Sequence, residues 1–335
     1  MKNIRISILG LGYWGPNIVR NLLKVPGAEI VSICDLDEKK VKNALSTFPT
    51  VKATSNYKEI ILDKSIDAVA VATPTETHFK IAKEALEANK NVLIEKPMTK
   101  TSKEASELIT LARKKKKILM VGHTFVYSEP VRMIKKIIES KRLGKIYYYD
   151  STRINLGIIR SDSNVIWDLA PHDLSILGYI FQEDPISLQA FGSSHINQKS
   201  EEMAHIIIKY RNNLSAHIHV SWLSPVKIRT TIIGGSKKMV VYNDIEPSEK
   251  IKIYDKSIKI SPAKITPFSP AYRSGDVVIP HLEEKEALLT ELTHFIECIK
   301  ENKKPLTDGT EGLRTIQLLE ATDNALKTKS EVKVL

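Results

Sequence analysis

Three short stretches of this chain carry residue types that can do chemistry together. The first, Gly10-Leu11-Gly12-Tyr13-Trp14-Gly15, has the spacing G-x-G-x-x-G, follows an apolar, β-branched run and opens a helical pattern. In that setting Gly10 permits a tight turn, Gly12 lets the backbone approach a pyrophosphate, and Gly15 lets helix and strand pack closely. The helix N-terminus then offers unpaired N–H groups and a positive dipole end to phosphates, with Tyr13 and Trp14 inside the same turn. Asp35 ends the second strand pattern, 20 residues after Gly15. An acid there accepts from the adenosine ribose hydroxyls and repels a 2′-phosphate, which favours NAD over NADP. Lys39 and Lys40 lie close enough to soften that preference. Asp35 could instead cap the next helix, a job for which Asp37 is better placed.

The second stretch is Glu95-Lys96-Pro97, just after an apolar run at residues 91–94. A lysine at the carboxyl end of a strand can have its pKa lowered by burial, or can hydrogen-bond a substrate hydroxyl. Standing alone, the tripeptide would read as a surface ion pair beside a proline turn. Thr73-Pro74-Thr75 ends another apolar run, where loops of a parallel sheet meet a ligand, and Thr75 also suits the N-cap of the helix that follows. His78 is either a cofactor neighbour or a polar surface histidine.

The third stretch is Trp167-Asp168-Leu169-Ala170-Pro171-His172-Asp173. Asp168 and His172 are four apart and share a face if Asp168 opens a helix, with Pro171 tolerated in its first turn. An acid beside an imidazole sets its tautomer and tunes its pKa. His172 can then accept a hydroxyl proton as hydride leaves the same carbon. The plainer reading is a capping aspartate and a satisfied core histidine. Arg153 and Asn155 leave a strand pattern just before this stretch, and Arg160 lies in the connecting loop. An arginine is the natural partner for a substrate phosphate or carboxylate. No stretch has the spacing of a metal site.

Together the glycine-rich start, Glu95-Lys96-Pro97 and the Asp168…His172 pair resemble the Gfo/Idh/MocA oxidoreductases over nearly the whole chain. The resemblance extends to Val121-Gly122-His123-Thr124-Phe125 and to Pro305-Leu306-Thr307-Asp308-Gly309. It implies an N-terminal Rossmann domain joined to a C-terminal domain on a large open sheet. It also implies NAD(P)-dependent oxidation or reduction at a sugar, inositol or related secondary alcohol. Lys96, Asp168 and His172 would be the catalytic residues, with Trp167 beside them at the substrate. Tyr13-Trp14-Gly15-Pro16-Asn17, the 167–173 stretch and Tyr272-Arg273-Ser274-Gly275-Asp276 resemble the branch acting on nucleotide sugars, the UDP-N-acetylhexosamine or hexosaminuronate 3-dehydrogenases. Many inositol-type members carry Arg-Arg-Phe after the sixth strand. Here those positions are Phe125, Val126 and Tyr127, a departure from an inositol or free-sugar reading.

The elements that must position these residues follow from periodicity. Residues 4–9, 29–34, 68–72, 91–94 and 118–121 read as strands without in/out alternation. Helical patterns separate them at 14–25, 38–46, 75–88 and 101–115, the last with a capping box from Thr101 and Glu104. This is the grammar of a parallel sheet covered on both faces, a doubly wound α/β domain over residues 1–122. Beyond it come helices near 129–140 and 168–181, and strands at 145–154, 186–194, 203–210, 215–223, 227–233, 238–242 and 250–253. A proline-rich loop follows at 261–280, then helices at 286–300 and 310–326. Alternation such as Ala216, Ile218, Val220 against His217, His219, Ser221 predicts a mostly antiparallel open sheet. Residues 123–335 thus read as an α+β domain; the resemblance implies that it binds substrate, and a large open sheet is expected to pair face to face, as a homodimer or homotetramer. His217 and His219 face either the substrate cleft or a subunit interface.

The length, 335 residues, exceeds what one core usually supports. Hydrophobic residues at 42% and charged residues at 27% exclude wholesale disorder. Two cysteines cannot make a disulfide framework or a four-ligand zinc site, and they fit a reducing, cytoplasmic compartment. No apolar run reaches the length of a membrane span. The net charge of +11 (50 Lys plus Arg less 39 Asp plus Glu) is spread along the chain. Its densest run, Lys114–Lys117, suits a helix C-terminus, and no nucleic-acid signature accompanies it. The reading that results is an NAD-dependent dehydrogenase of a sugar or nucleotide sugar. Its rivals are an NADP(H)-dependent keto-sugar reductase, an inositol or free-sugar dehydrogenase, and a non-catalytic NAD-binding regulator.

Overall fold

The computed structural model describes residues 2–157, 159, 163–196, 200–260 and 270–334. Two compact units emerge: the chain through Ser128 together with Lys285–Gln317, and Glu129–Glu284 together with the chain from Leu318 onward.

The first unit opens with β1 (Ile4–Leu9), α1 (Trp14–Leu22), β2 (Ala28–Cys34), α2 (Glu38–Thr47), β3 (Lys52–Thr54), α3 (Tyr57–Leu62), β4 (Ala68–Val71), α4 (Thr75–Glu87), β5 (Asn91–Glu95), α5 (Ser102–Lys115) and β6 (Leu119–Gly122). The strands form one parallel sheet in the order β3-β2-β1-β4-β5-β6. That is a doubly wound order, with the strand direction of travel reversing between β1 and β4. Strand residues such as Ile8, Val69, Ala70 and Ile94 are wholly buried, as apolar runs covered on both faces must be. Asp37 and Thr101 cap α2 and α5 through their side chains, accepting from Lys39 N–H and Glu104 N–H. The lysine run ends α5, with Lys116 left-handed at its C-cap. The helix at the glycine turn is shorter than its pattern predicts, and Thr75 is the first helical residue of α4 and not its cap.

A 3₁₀ turn, Thr124–Tyr127, closes this part of the first unit. The second unit begins with α6 (Glu129–Glu139), β7 (Ile146–Leu156), α7 (Val165–Phe181), β8 (Ser187–Ser193), β9 (Met203–Lys209), β10 (Ser215–Ser221), β11 (Leu223–Gly235), β12 (Met239–Asn243), β13 (Ile251–Ile260) and β14 (Pro270–Val278). After α8 (Ala287–Glu301) and α9 (Gly309–Thr328), β15 (Val332–Lys333) completes a nine-stranded sheet in the order β14-β13-β12-β11-β7-β10-β9-β8-β15. Every pair is antiparallel except β7 with β10. Along β7, Tyr149, Ser151 and Arg153 are buried on one face, as are Ala216, Ile218 and Val220 along β10. The opposite face carries His205, His217 and His219, whose rings stack.

Two expectations are corrected. The proline-rich stretch is not all loop: Pro270 starts the edge strand β14, where no ladder N–H is needed. Asp168 does not open α7. Asn164 caps the helix, its side chain accepting from Trp167 N–H at 3.0 Å, so Pro171 lies inside the helix. In the first unit, α8 packs on α1, β1 and the 3₁₀ turn. The segment before α9 pairs with β6, where Val121 N–H donates to Thr307 O and Thr307 Oγ1 to Val121 O.

Candidate active site

The glycine turn joins β1 to α1 at the carboxyl end of the parallel sheet. Gly10 is left-handed (φ +97°), and a Cβ there would lie 2.5 Å from Ala72 O. On Gly15 a Cβ would stand 2.1 Å from Gly10 O. Both glycines are therefore required by the protein's own backbone. Gly12 is different, because a Cβ there would meet nothing within 4 Å. The Tyr13 side chain makes no capping bond to α1, so the N-cap residue leaves the first N–H groups of the helix to a ligand. Asp35 closes one side: Oδ2 accepts from Leu11 N–H at 2.6 Å and Oδ1 from Asp37 N–H at 2.9 Å. Lys40 reaches Asp35 at 4.0 Å. Tyr13 and Leu36 flank the turn, exposed. An open glycine, an uncapped helix start and an anchored acid fit the pyrophosphate and ribose of a dinucleotide.

The loops after β4 and β5 are locked together. His78 Nδ1 lies 2.9 Å from Pro97 O, and Nε2 lies 2.8 Å from Thr73 O. Burial pushes the imidazole pKa down, so the neutral ring donates to one carbonyl at a time. His78 thus ties the Thr73-Pro74-Thr75 loop to the loop holding Lys96. Thr73 also accepts a hydroxyl bond from Thr77, while Pro74 is exposed. Lys96 follows β5 directly and is half-buried.

Behind Lys96 lies a buried polar cluster. The Glu95 carboxylate folds over its register partner Gly122, so that a Cβ on Gly122 would lie 3.2–3.3 Å from it. Burial pushes the Glu95 pKa up to about 7, and the Lys96 charge and backbone N–H pull against that rise. His123 is 1% exposed, neither ring nitrogen has a protein hydrogen-bond partner, and burial followed by the Lys96 charge pushes it down to about 3. Glu291 of α8 accepts from Thr124 Oγ1 at 2.8 Å. Burial first, then Glu95, hold its pKa well above the carboxylate range. Sequence reasoning missed Glu291. Its signal was an acid in the apolar stripe Leu288, Leu292, Phe295, where a core residue belongs.

The second unit carries the other candidates. Asp168 and His172 sit one turn apart on α7, both half-buried. Trp222 Nε1 donates to Asp168 Oδ2 at 3.2 Å, and Trp167 Nε1 donates to Asp323 at 2.9 Å. Arg153, expected to meet substrate, is instead buried against Asp173, with Nε 2.7 Å from Oδ2 and Nη2 3.2 Å from Oδ1. Burial opposes the Arg153 charge, and the Asp173 carboxylate more than restores it. Asn155 lies beside Gly157, near the end of β7. Arg160 lies outside the described residues. Among the described residues no cluster of His, Cys, Asp or Glu could hold a metal ion, and no helix is long and apolar enough to cross a membrane. Cys34 and Cys298 are buried free thiols.

Comparison with known proteins shows the family and the fold. Residues 4–123 match an oxidoreductase family with an NAD-binding Rossmann fold, and residues 131–241 match the C-terminal domain of the GFO/IDH/MocA group. An uncharacterized oxidoreductase of Escherichia coli (strain K12) is 30% identical over 74% of this chain and 73% of its own. UDP-N-acetylglucosamine 3-dehydrogenase of Acidithiobacillus ferrooxidans is 24% identical over 94% of this chain and 95% of its own. A solved structure of the 3-dehydrogenase from that organism superposes with a TM-score of 0.82 at 21% identity, covering 98% of this chain and 99% of the other.

Proposed function

Because the chain belongs to the Gfo/Idh/MocA oxidoreductase family, we propose that it is an NAD-dependent dehydrogenase oxidising a secondary hydroxyl of a nucleotide sugar, a UDP-N-acetylhexosamine or its uronate, at C3. The observation that carries this reading is the placement of Lys96. It directly follows β5, a strand of the same parallel sheet whose carboxyl end bears the open glycine cradle and Asp35. The likeness to a UDP-N-acetylglucosamine 3-dehydrogenase over nearly the whole chain supports the substrate class. Asp35 supports NAD over NADP, since its carboxylate repels a 2′-phosphate.

When bound, the nicotinamide supplies the hydride acceptor. The chain supplies everything else. Gly10, Gly12, Gly15 and the start of α1 hold the pyrophosphate, and Asp35 takes the ribose hydroxyls. Thr73, Pro74, Thr75 and Glu95 shape the adjoining loops, which His78 holds in place. Lys96 hydrogen-bonds the reacting hydroxyl and takes its proton. His172, oriented by Asp168, is the cooperating or alternative base. The indole of Trp222 fixes the Asp168 carboxylate in turn. The same groups serve the reverse reaction. Trp167 and Asn155 adjoin the substrate, and the second unit, Glu129–Glu284 with the chain from Leu318 onward, provides the substrate domain. Two copies pair through the sheet face that carries His205, His217 and His219, and a sedimentation experiment finding only monomer would reject that pairing. The buried thiols suit a reducing, cytoplasmic compartment.

A panel of nucleotide sugars, free sugars and inositols, each with NAD and with NADP, tests the reading by following reduced-cofactor absorbance. The expected result is turnover with a UDP-N-acetylhexosamine or its uronate, with NAD preferred at least about tenfold in kcat/KM, the scale of one repelled charge. Turnover confined to inositols, or a preference for NADP, would reject it.

A further inference from the structure

We propose that His78 is a positioning residue that sets the spacing between the cofactor cradle and Lys96, holding each side through a backbone carbonyl. The inference rests on the reading of Lys96 as the group that handles the substrate proton.

His78 lies in the first turn of α4, and helical side chains lean back toward the helix N-terminus. The ring is thereby aimed at the loops beyond the carboxyl ends of β4 and β5, which are neighbouring parallel strands. It is 1% exposed and meets one carbonyl from each loop, Pro97 O at Nδ1 and Thr73 O at Nε2. All of these groups belong to the first unit.

Each carbonyl belongs to a segment with its own task. The backbone of Ala72 and Thr73 packs on the glycine turn: a Cβ on Gly10 would lie 2.5 Å from Ala72 O and 2.7 Å from Thr73 N. Moving Thr73 therefore moves a wall of the pyrophosphate cradle. Pro97 directly follows Lys96. On the other side of Lys96, Glu95 is held in the β5–β6 ladder opposite Gly122. The Lys96 backbone is thus fixed upstream by the sheet and downstream by His78. One planar ring, with no rotatable bond between its two nitrogens, spans the two segments.

The two sides do not depend on the ring equally. Thr73 is also braced by the Thr77 hydroxyl, which donates to Thr73 Oγ1 at 2.7 Å. Pro97 has no N–H, so its carbonyl is the one backbone group by which a hydrogen bond can hold it. That carbonyl is buried against the ring, and a buried carbonyl left without a donor is costly. The Lys96 side is the one that His78 governs more strongly. Sequence patterns could not show this, because both partners of the ring are main-chain atoms.

Two amide replacements divide the ring. An asparagine amide stands about where Nδ1 stands, and a glutamine amide about where Nε2 stands. His78→Asn can still donate to Pro97 O, and His78→Gln to Thr73 O. Hydrogen exchange on the full chain without substrate, read by mass spectrometry, should quicken over residues 72–77 in His78→Asn and over 98–101 in His78→Gln. Calorimetry and stopped-flow turnover then read the consequence. His78→Asn should weaken NAD binding about fivefold, with the smaller change in kcat. His78→Gln should lower kcat about fivefold or more, with the smaller change in Kd, the scale of one hydrogen bond. A role in stability alone would loosen both loops together and shift Kd and kcat in parallel in both variants. That result, or failure of both variants to fold, overturns the proposal. If one alone folds, its own loop and its own constant decide. An inactive wild-type panel would overturn the dehydrogenase reading, and the exchange pattern with the NAD affinities would still decide the tether.

Discussion

Replacing Lys96 with alanine is expected to lower kcat about a thousandfold while the Kd for NAD changes by less than about threefold. The size follows from what positioned proton transfer contributes, roughly a hundred- to ten-thousandfold, or about 4 kcal/mol of barrier at the middle of that range. The selectivity follows from location. The pyrophosphate cradle and Asp35 belong to the β1–α1 turn and the end of β2, whereas Lys96 belongs to the loop after β5. Lys96→Arg should be similarly inactive, since a guanidinium does not give up its proton in a protein. Stopped-flow turnover beside calorimetric NAD binding separates the two effects. Alanine-variant turnover above about a tenth of wild type would assign the base role to His172.

Asp173→Ala is expected to destabilise the second unit by about 3–5 kcal/mol, the cost of leaving a buried charge without its partner. Arg153 and Asp173 are 5% and 1% exposed, and Ser151 Oγ adds a 2.7 Å bond to the same carboxylate. The pair joins β7 to α7, the helix carrying Asp168 and His172. Turnover should therefore fall along with stability. The double variant Arg153→Met, Asp173→Leu should recover most of the loss, because apolar replacement of a whole buried pair is often neutral or better. Trp167 and Trp222 lie in this unit, and both indoles donate to aspartates. Their fluorescence during urea unfolding is the natural probe. A loss below about 1 kcal/mol in Asp173→Ala would show that the pair is not holding α7.

The residues of the cofactor sheet were legible for a physical reason. A strand buried on both faces has to be apolar at every position, so Ala68–Val71 announces itself, and the loops at its carboxyl side fall where a ligand binds. Gly10 and Gly15 were legible because steric demand on a backbone leaves only one residue type. The errors came where the answer depended on a distant partner. Asp168 looked like a helix start because aspartate is a good cap and Pro171 suits a first turn. Asn164 takes the cap four residues earlier, and the indole of Trp222 takes Asp168. Arg153 looked free for a substrate anion because its partner, Asp173, lies 20 residues on in another element. Period-two alternation does place Arg153 with Tyr149 and Ser151, yet it says nothing of what covers that face. His78 could not be placed at all, since both of its neighbours are backbone carbonyls from separate loops.

The most direct measurement is deuterium transfer from a UDP-N-acetylhexosamine labelled at C3, with NAD as acceptor. The account predicts that deuterium appears in the reduced nicotinamide from the C3-labelled sugar and not from one labelled at C4, and that Lys96→Ala abolishes the transfer. Reduced cofactor that carries deuterium from C4, or unlabelled reduced cofactor from the C3-deuterated sugar, would contradict it.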